Sequence, residues 1–402
     1  MNVENKISKS KNQLLILSSK YDQSEEINDL IENFCGKVVY SILDLETKRH
    51  KNLYACGDLK ELDDLDIEVN VIKELSYNYA HLNKLKLTDL GKIPFVVHNV
   101  GVYYKNLFDD GDYFNMIQEE HVFQELTEST KKSKALRKGI YLSKVSKEGT
   151  ENENEKLHFH LLRCSSNLTG PTDNFRRTDH KIMDALNKIA DSVFEEKVQL
   201  NHVLAQIYEN KKTTEGKEAK AKIKAHSDKT KDMPKEGLIA FCTFYDHSQF
   251  NSLNPSKTDR YDWVYKNQSG LTRLLFKLKN TVQDQTLTKE FSVTLYRNSV
   301  FIIPLSTNRF YTHEIRPSML NMDKIPTRMG YVVRCSNLEA IYIDDEVFIK
   351  EEGELLKLEP MTDETMNDLR SSYLKENKTE EMVKYNKIRF SMNSGDYKKP
   401  IY

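Results

Sequence analysis

The sequence lacks the features of several classes of protein. Its five cysteines are scattered without C-x-x-C spacing and leave an odd one, which argues against a disulfide framework and a structural zinc site. No stretch approaches the roughly 18 consecutive apolar residues of a membrane span, and no apolar segment follows the charged N-terminus as it would in a signal peptide. Basic residues number 60 and acidic residues 61, so no overall field attracts the chain to nucleic acid or to an anionic membrane. We therefore expect an intracellular protein, cytoplasmic or nuclear, that does not attach to a membrane.

The chain is long enough for more than one folded unit. Of its 402 residues, 38% are apolar, and the 17 Phe and 21 Tyr can fill a sizeable core. A run rich in Glu, Asn and Lys over residues 144–156 has the composition of a linker. We place a boundary there, with an N-terminal region of unknown role over residues 1–150, a second unit over 151–345 and a charged C-terminal extension over 346–402.

Short apolar or alternating segments dominate the chain after residue 200. Strands are predicted over residues 203–208, 221–226, 238–245, 271–277, 290–296, 299–304, 311–315 and 328–335. Helices are predicted over residues 25–33, 118–126, 178–194 and 363–377. About eight short strands joined by turns are typical of a jelly roll or a related double-sheet barrel. The predicted fold class is α+β, with a jelly-roll (double-stranded β-helix) core, flanking helices and an additional N-terminal α/β region.

The most informative motif is His226-Ser227-Asp228, and a further histidine, His313, follows it later in the chain. His226 ends a predicted strand, and Asp228 projects from the same side if the chain stays extended. By itself the triplet could equally be an exposed turn without a metal. His313 by itself could equally be a histidine at a strand edge that is hydrogen-bonded to a backbone carbonyl. Two imidazoles and one carboxylate can occupy one face of an octahedral ferrous ion and leave the other face open. We therefore predict that His226, Asp228 and His313 are metal ligands for Fe(II).

Two arginines follow this set within one predicted strand. Arg328 and Arg334 are six residues apart, and an even separation places both on one face of a sheet. If both arginines point into a barrel, they need anionic partners, because an unpaired buried charge is costly. The alternative is a surface strand with both arginines in solvent. Together with the metal ligands, the pair suggests an oxygenase that uses Fe(II) and a dicarboxylate, 2-oxoglutarate.

The order of the predicted metal ligands and the two arginines along the chain resembles that of the AlkB-like branch of the 2-oxoglutarate- and iron(II)-dependent dioxygenases. The resemblance runs from residue 204 to residue 334, about a third of the chain. Gln206-Ile207-Tyr208 is similar to the polar residue and tyrosine that precede the His-x-Asp of that family, and the two arginines match its 2-oxoglutarate-binding pair in spacing. This chain departs from the family in having Gln206 for the usual asparagine, Gly330 and Val332 for a frequent asparagine and threonine, and a lysine-rich insertion over residues 211–220.

The resemblance implies a reaction and roles for the site residues. The three predicted ligands would hold Fe(II), with 2-oxoglutarate and O₂ as co-substrates. Arg328 would pair with the distal carboxylate of 2-oxoglutarate, assisted by Tyr208, while Arg334 and Gln206 would steady the carboxylate nearest the metal. The activity implied is oxidative decarboxylation of 2-oxoglutarate coupled to hydroxylation or oxidative demethylation of a substrate C–H bond.

The resemblance favours a nucleic-acid base, in DNA or RNA, as the substrate. Basic segments over residues 131–138 and 211–235 could contact phosphates near the mouth of the barrel. The first alternative is a protein or small-molecule hydroxylase with the same iron core, which the neutral overall charge and the unassigned N-terminal region favour. The second alternative is a non-catalytic interaction protein that retains the barrel. The sequence gives no prediction of the oligomeric state.

Overall fold

The structure is a computed structural model that describes residues 9–18, 21, 24–41, 52–62, 68–127, 134–149, 155–163, 168–252, 271–318 and 320–402. The helices are α1 (Glu25–Asn33), α2 (Tyr113–Glu120), α3 (Arg177–Val193), α4 (Leu305–Phe310) and α5 (Asp363–Lys378). The strands of the first half are β1 (Gln13–Leu17), β2 (Lys37–Val39), β3 (Asn52–Asp58), β4 (Val69–Tyr77), β5 (Leu85–Thr88), β6 (Phe95–Val97), β7 (Gly101–Tyr104), β8 (Gln124–Thr127), β9 (Lys134–Ser143), β10 (Ser146–Glu148), β11 (Lys156–Leu161) and β12 (Asp173–Asn174). Those of the second half are β13 (His202–Tyr208), β14 (Lys211–Lys212), β15 (Glu218–Ala219), β16 (Ile223–His226), β17 (Leu238–Tyr245), β18 (Arg273–Leu278), β19 (Glu290–Thr294), β20 (Ser299–Pro304), β21 (Tyr311–Arg316), β22 (Arg328–Arg334), β23 (Leu338–Ile343), β24 (Glu346–Glu351) and β25 (Glu354–Lys357). Within the described residues, no helix has the length and apolar character needed to cross a membrane.

The N-terminal region contains a parallel sheet in the strand order β2-β1-β3-β4-β5. Strand β1 is apolar at almost every position because both of its faces are covered: Leu15 and Leu17 pack on one side, Leu14 and Ile16 on the other. Helix α1 covers the Leu15 side and begins at Ser24, whose hydroxyl accepts the N–H of Ile27. The additional α/β region that the sequence predicts therefore has its own double-sided core.

The eight strands β13 and β16 to β22 are divided between two antiparallel sheets. The large sheet has β13-β22-β17-β20 at its centre, and the small sheet is β16-β21-β18-β19. Apolar side chains of the two sheets meet, with the ring of Phe276 on β18 at 6.4 Å from that of Phe241 and 5.6 Å from that of Phe301. The outer face of the large sheet is covered by α3, through residues such as Ile182 and Leu186. This mixed α/β arrangement of antiparallel strands is compatible with the predicted jelly roll.

Most predicted elements of this region correspond to observed ones. Strands β17 and β20 match their predictions residue for residue, and α3 and α5 lie within one residue of theirs. The helix predicted over residues 118–126 is wrong in its second half. Helix α2 ends at Glu120, and Gln124–Thr127 forms β8 instead, because Leu126 is buried in a small cluster while the strand pairs with β9.

Strand pairing continues across both predicted domain boundaries. Strands β7 and β9, which precede residue 150, pair with β20 and β13 of the large sheet. Another sheet, β10-β11-β23-β24-β25, joins segments from before residue 150 and after residue 345. Unpaired edges of a sheet favour such additions, because their backbone groups need partners. Of the predicted linker, residues 150–154 lie outside the described residues, while its flanks form β10 and β11.

Candidate metal centre

The three predicted metal ligands lie together at one end of the small sheet. Strands β16 and β21 are neighbours, and His226 and His313 stand directly opposite each other, with ring centroids 4.5 Å apart. Asp228 follows two residues after the end of β16. Its Oδ1 lies 3.5 Å from Nε2 of His226 and 3.7 Å from Nε2 of His313. All three residues offer ligand atoms within 4.8 Å of one another.

The orientation of His226 and the burial of His313 suit metal binding. Nδ1 of His226 lies 2.9 Å from the carbonyl oxygen of Lys224 and donates to it, so Nε2 is the ring nitrogen that lies toward Asp228. Burial lowers the pKa of His313 to about 3, an effect that His226 reinforces, so His313 is neutral at physiological pH. The N–O distances to Asp228 exceed those of ordinary hydrogen bonds, about 2.9 Å. A shared cation would bring all three groups into contact with one partner, and this donor set is the one that non-haem Fe(II) takes.

Asp228 is held in a fixed orientation by two neighbours. Nε and Nη2 of Arg334 donate to its Oδ2 at 2.7 and 2.6 Å, which leaves Oδ1 directed at the imidazoles. The backbone N–H of Asp228 donates to Oδ1 of Asn308 at 2.8 Å, and Nδ2 of Asn308 donates to the Asp228 carbonyl at 2.9 Å. Burial alone would raise the pKa of Asp228, but the Arg334 guanidinium holds it well below its usual range. The carboxylate therefore stays ionised. The contact predicted between Arg334 and 2-oxoglutarate stays a prediction.

Arg328, at the other end of β22, is a buried cation that pairs with no carboxylate of the described residues. It is 4% exposed and its guanidinium lies over the ring of Tyr208, 3.9 Å from the ring centroid. Its Nη2 is buried with no hydrogen-bond partner, and no carboxylate of the described residues forms an ion pair with it. Burying a charge in this way is costly unless a counter-ion is supplied. The observation therefore fits a site that is completed by an anionic ligand.

A strip of small or polar residues lies between the two arginines on the same face of the large sheet. Gly330 is paired with Gln206 on one side and Thr243 on the other. A Cβ at Gly330 would lie 3.1 Å from Nη1 of Arg328, so the guanidinium extends over this glycine. Oγ1 of Thr243 is buried with no hydrogen-bond partner, while Gln206 accepts from the hydroxyl of Tyr208 at 3.3 Å. Gly330 thus makes room for the Arg328 guanidinium, and Thr243 beside it has a buried hydroxyl without a partner among the described residues.

A second cluster that contains a histidine has a structural role. His121 is buried between two carboxylates, with Nδ1 2.8 Å from Asp173 and Nε2 2.7 Å from Asp179. Burial by itself would lower the pKa of His121, but the two aspartates raise it to about 9. Because both ring nitrogens are already bonded, His121 has no lone pair to offer a metal. Asp179 also accepts from the hydroxyl of Tyr331 at 2.7 Å, so the cluster ties α3 to β22, the strand of both arginines.

Comparison with known proteins adds little to this geometry. No protein-family model matches the chain, and no curated protein is similar to it. Among solved structures, a prolyl-4-hydroxylase from Pseudomonas putida matches with a TM-score of 0.24 and 11% sequence identity. The match covers 48% of this chain and 77% of the hydroxylase. At this level of similarity the match carries no argument about fold or function.

The sequence did not point to Asn308 as a site residue. The sequence predicts that Asn308 is part of a hairpin between two strands. In the structure this segment forms the short helix α4, just before the strand that contains His313. An asparagine near a ligand-bearing strand is the only local signal, and asparagine is common in turns for other reasons. Its contact with Asp228 joins residues 80 positions apart, which no local pattern reveals.

Proposed function

We propose that this chain is an Fe(II)- and 2-oxoglutarate-dependent dioxygenase of the AlkB-like kind. The observation that supports the proposal most is that His226, Asp228 and His313 converge near one end of β22, while the buried guanidinium of Arg328, at the other end of that strand, pairs with no carboxylate of the described residues. A dicarboxylate that reaches from the metal to Arg328 would satisfy both ends of the site. The proposal also draws on the order of these residues along the chain, with Tyr208 before the His-x-Asp and the arginines after His313.

In this proposal the residues bind and orient while the metal supplies the redox chemistry. Fe(II), when bound, activates O₂ for oxidative decarboxylation of 2-oxoglutarate and for oxidation of a substrate C–H bond. Arg328 binds the distal carboxylate with two parallel N–H donors, a contact that lysine could not reproduce. Arg334 keeps Asp228 ionised and, with Gln206, steadies the carboxylate nearest the metal. The ring of Phe241 lies 5.2 Å from that of His313 and helps to exclude water from its buried side.

For the substrate, we propose a nucleic-acid base, with a protein or small molecule as the alternative. Lys222 and Lys224 are exposed on or next to β16, close in sequence to His226, and no carboxylate of the described residues forms an ion pair with either. Other lysines of the same segment favour the alternative, because Lys217 and Lys220 pair with nearby glutamates. Residues 131–133 of the other basic segment lie outside the described residues.

The test is succinate production by the purified chain, loaded anaerobically with Fe(II) and given 2-oxoglutarate and O₂. We expect slow turnover without substrate that is lost in His226→Ala and in Arg328→Ala. Methylated oligonucleotides should then raise the rate if the substrate is a nucleic-acid base, and peptides should raise it if the alternative holds. If the chain neither forms succinate nor binds Mn(II) and 2-oxoglutarate in a calorimeter, the proposal is wrong.

A further inference from the structure

The loop that carries Asp228 is held from outside the barrel by the C-terminal helix α5. We infer that α5 is a positioning element of the metal centre and that Asn377 is its principal positioning residue. This inference rests on the function proposed above, since it concerns the same ligands. The C-terminal extension has no role assigned from the sequence, so the inference gives that segment a function in the site.

The contact of Asn377 falls on the residue between two metal ligands. Ser227 separates His226 from Asp228 and is 2% exposed. Its backbone N–H donates to Oδ1 of Asn377 at 2.7 Å, and its hydroxyl donates to the carbonyl of Tyr311 on β21 at 3.0 Å. The peptide that links the two ligands is therefore fixed by α5 on one side and by the strand of the third ligand on the other.

The amide of Asn377 is itself held in the orientation that this contact requires. Its Nδ2 donates to the carbonyl of Tyr373 one turn earlier in α5, at 3.0 Å, which leaves Oδ1 directed at Ser227. Nζ of Lys279, from just after β18, donates to the carbonyls of Glu376 and Thr379 at 2.6 and 3.1 Å. A cation at this end of the helix also suits the helix dipole. These contacts tie the end of α5 to the small sheet.

A second contact lies two residues beyond Asp228. The backbone N–H of Thr230 donates to Oε1 of Glu376 at 3.1 Å, and its hydroxyl bonds to the same oxygen. Asp228 itself is held by Asn308 of α4. The segment 227–230 is thus bonded to α5 at Ser227 and Thr230, and to β21 and α4 at Ser227 and Asp228.

Loss of these contacts should act on metal affinity more than on global stability. A buried N–H without an acceptor is destabilising, and a loop can avoid that cost by shifting until the N–H reaches water. Such a shift moves His226 and Asp228 relative to His313. Ligands must stay within about 0.5 Å of their productive positions, and loss of a residue that orients a ligand typically weakens metal binding about 10- to 100-fold.

The experiment measures the Kd of Mn(II) for the full chain by calorimetry, with the melting temperature of the metal-free protein as a second readout. Asn377→Ala should raise the Kd at least about tenfold, while Asn377→Asp, which keeps an acceptor oxygen, should restore most of the affinity. Asn367→Ala is the matched control, because Asn367 is exposed on the same helix and its side chain contacts no ligand loop. If Asn377→Ala does not fold, Thr230→Val removes only one hydroxyl contact and should give a smaller rise in Kd.

The outcomes separate the inference from the proposed function. Failure of the wild-type chain to bind Mn(II) overturns the proposed function and the inference with it. Binding by the wild type together with an unchanged Kd in a folded Asn377→Ala, or in Thr230→Val where that variant replaces it, overturns the inference alone. A merely structural role for α5 would lower the melting temperature and leave the Kd unchanged, which is the same refuting result.

Discussion

Replacement of Arg328 by methionine should weaken the binding of 2-oxoglutarate without lowering the stability of the ligand-free protein. Methionine keeps much of the volume and removes the charge. In the protein without ligand, this guanidinium is 4% exposed, and no carboxylate of the described residues forms an ion pair with it. Its main observed compensation is the ring of Tyr208 at 3.9 Å, an interaction worth about 0.5–2 kcal/mol. Because removal of a buried charge relieves its desolvation cost, the ligand-free variant should be as stable as the wild type or more stable.

The effect on 2-oxoglutarate should be large and opposite in sign. Truncation of one partner of a buried charge pair costs about 2–5 kcal/mol, which corresponds to a rise in Kd of about 30- to 5,000-fold. At a ligand concentration of about one hundred times its wild-type Kd, 2-oxoglutarate should stabilise the wild type by about 2.7 kcal/mol. The same concentration should stabilise the variant by less than about 0.9 kcal/mol.

The assay is a pair of denaturation curves, with and without 2-oxoglutarate at fixed Mn(II), together with a calorimetric Kd. The matched control is Arg316→Met, since the side chain of Arg316 is 57% exposed and pairs with Glu314 at the end of β21. A ligand-free Arg328→Met that is much less stable, yet binds 2-oxoglutarate as the wild type does, would refute the reasoning. It would mean that Arg328 serves the fold and not a ligand.

Three further predictions concern the surroundings of the site. His121 has a folded pKa of about 9, above its unfolded value of about 6.5, so its contribution is complete below pH 6.5 and lost as pH rises through 9. Urea unfolding should therefore show stability falling by up to about 3 kcal/mol across that window, and His121→Gln should remove the fall; the same slope in both proteins would contradict the assignment. Gly330→Ala should place a Cβ 3.1 Å from the Arg328 guanidinium and raise the Kd of 2-oxoglutarate about tenfold by calorimetry; an unchanged Kd would show that the guanidinium moves freely. Asn308→Ala should raise the Kd of Mn(II) about tenfold, and Asn308→Asp, which keeps the acceptor but loses the donor, should lie between; equal affinity in all three proteins would exclude this residue from the site.

Local patterns were sufficient to predict most strands of the two antiparallel sheets and the three residues, His226, Asp228 and His313, that the structure brings together. The apolar run of β17 and the alternation before His226 depend on which faces of a strand are buried, and this information is written in neighbouring residues. The even spacing of Arg328 and Arg334 likewise predicted that both would lie on one face of β22. They do so at opposite ends of the strip centred on Gly330.

Contacts between distant segments could not be read in the same way. Asn377 and Ser227 are 150 residues apart, and either residue is unremarkable in its own segment. The predicted boundaries near residues 150 and 345 were based on composition. The sheets extend across both boundaries, because the backbone groups of edge strands need hydrogen-bond partners. Helix α2 shows the same limit, because the segment after Glu120 becomes a strand only through pairing with β9.

The charges of the site argue for selection of a dicarboxylate. Asp228 and Arg334 compensate each other, whereas the buried charge of Arg328 has no counter-ion among the described residues. A divalent metal would add two further positive charges, so a dianion that reaches both the metal and Arg328 gains attraction at each end.

A monocarboxylic 2-oxo acid such as pyruvate could chelate the metal but would leave Arg328 unpaired. The wild type should therefore bind 2-oxoglutarate at least about 30-fold more tightly than pyruvate at fixed Mn(II). In Arg328→Met most of that preference should vanish, because only the metal end then attracts either ligand. Retention of the full preference in the variant would place the second carboxylate elsewhere.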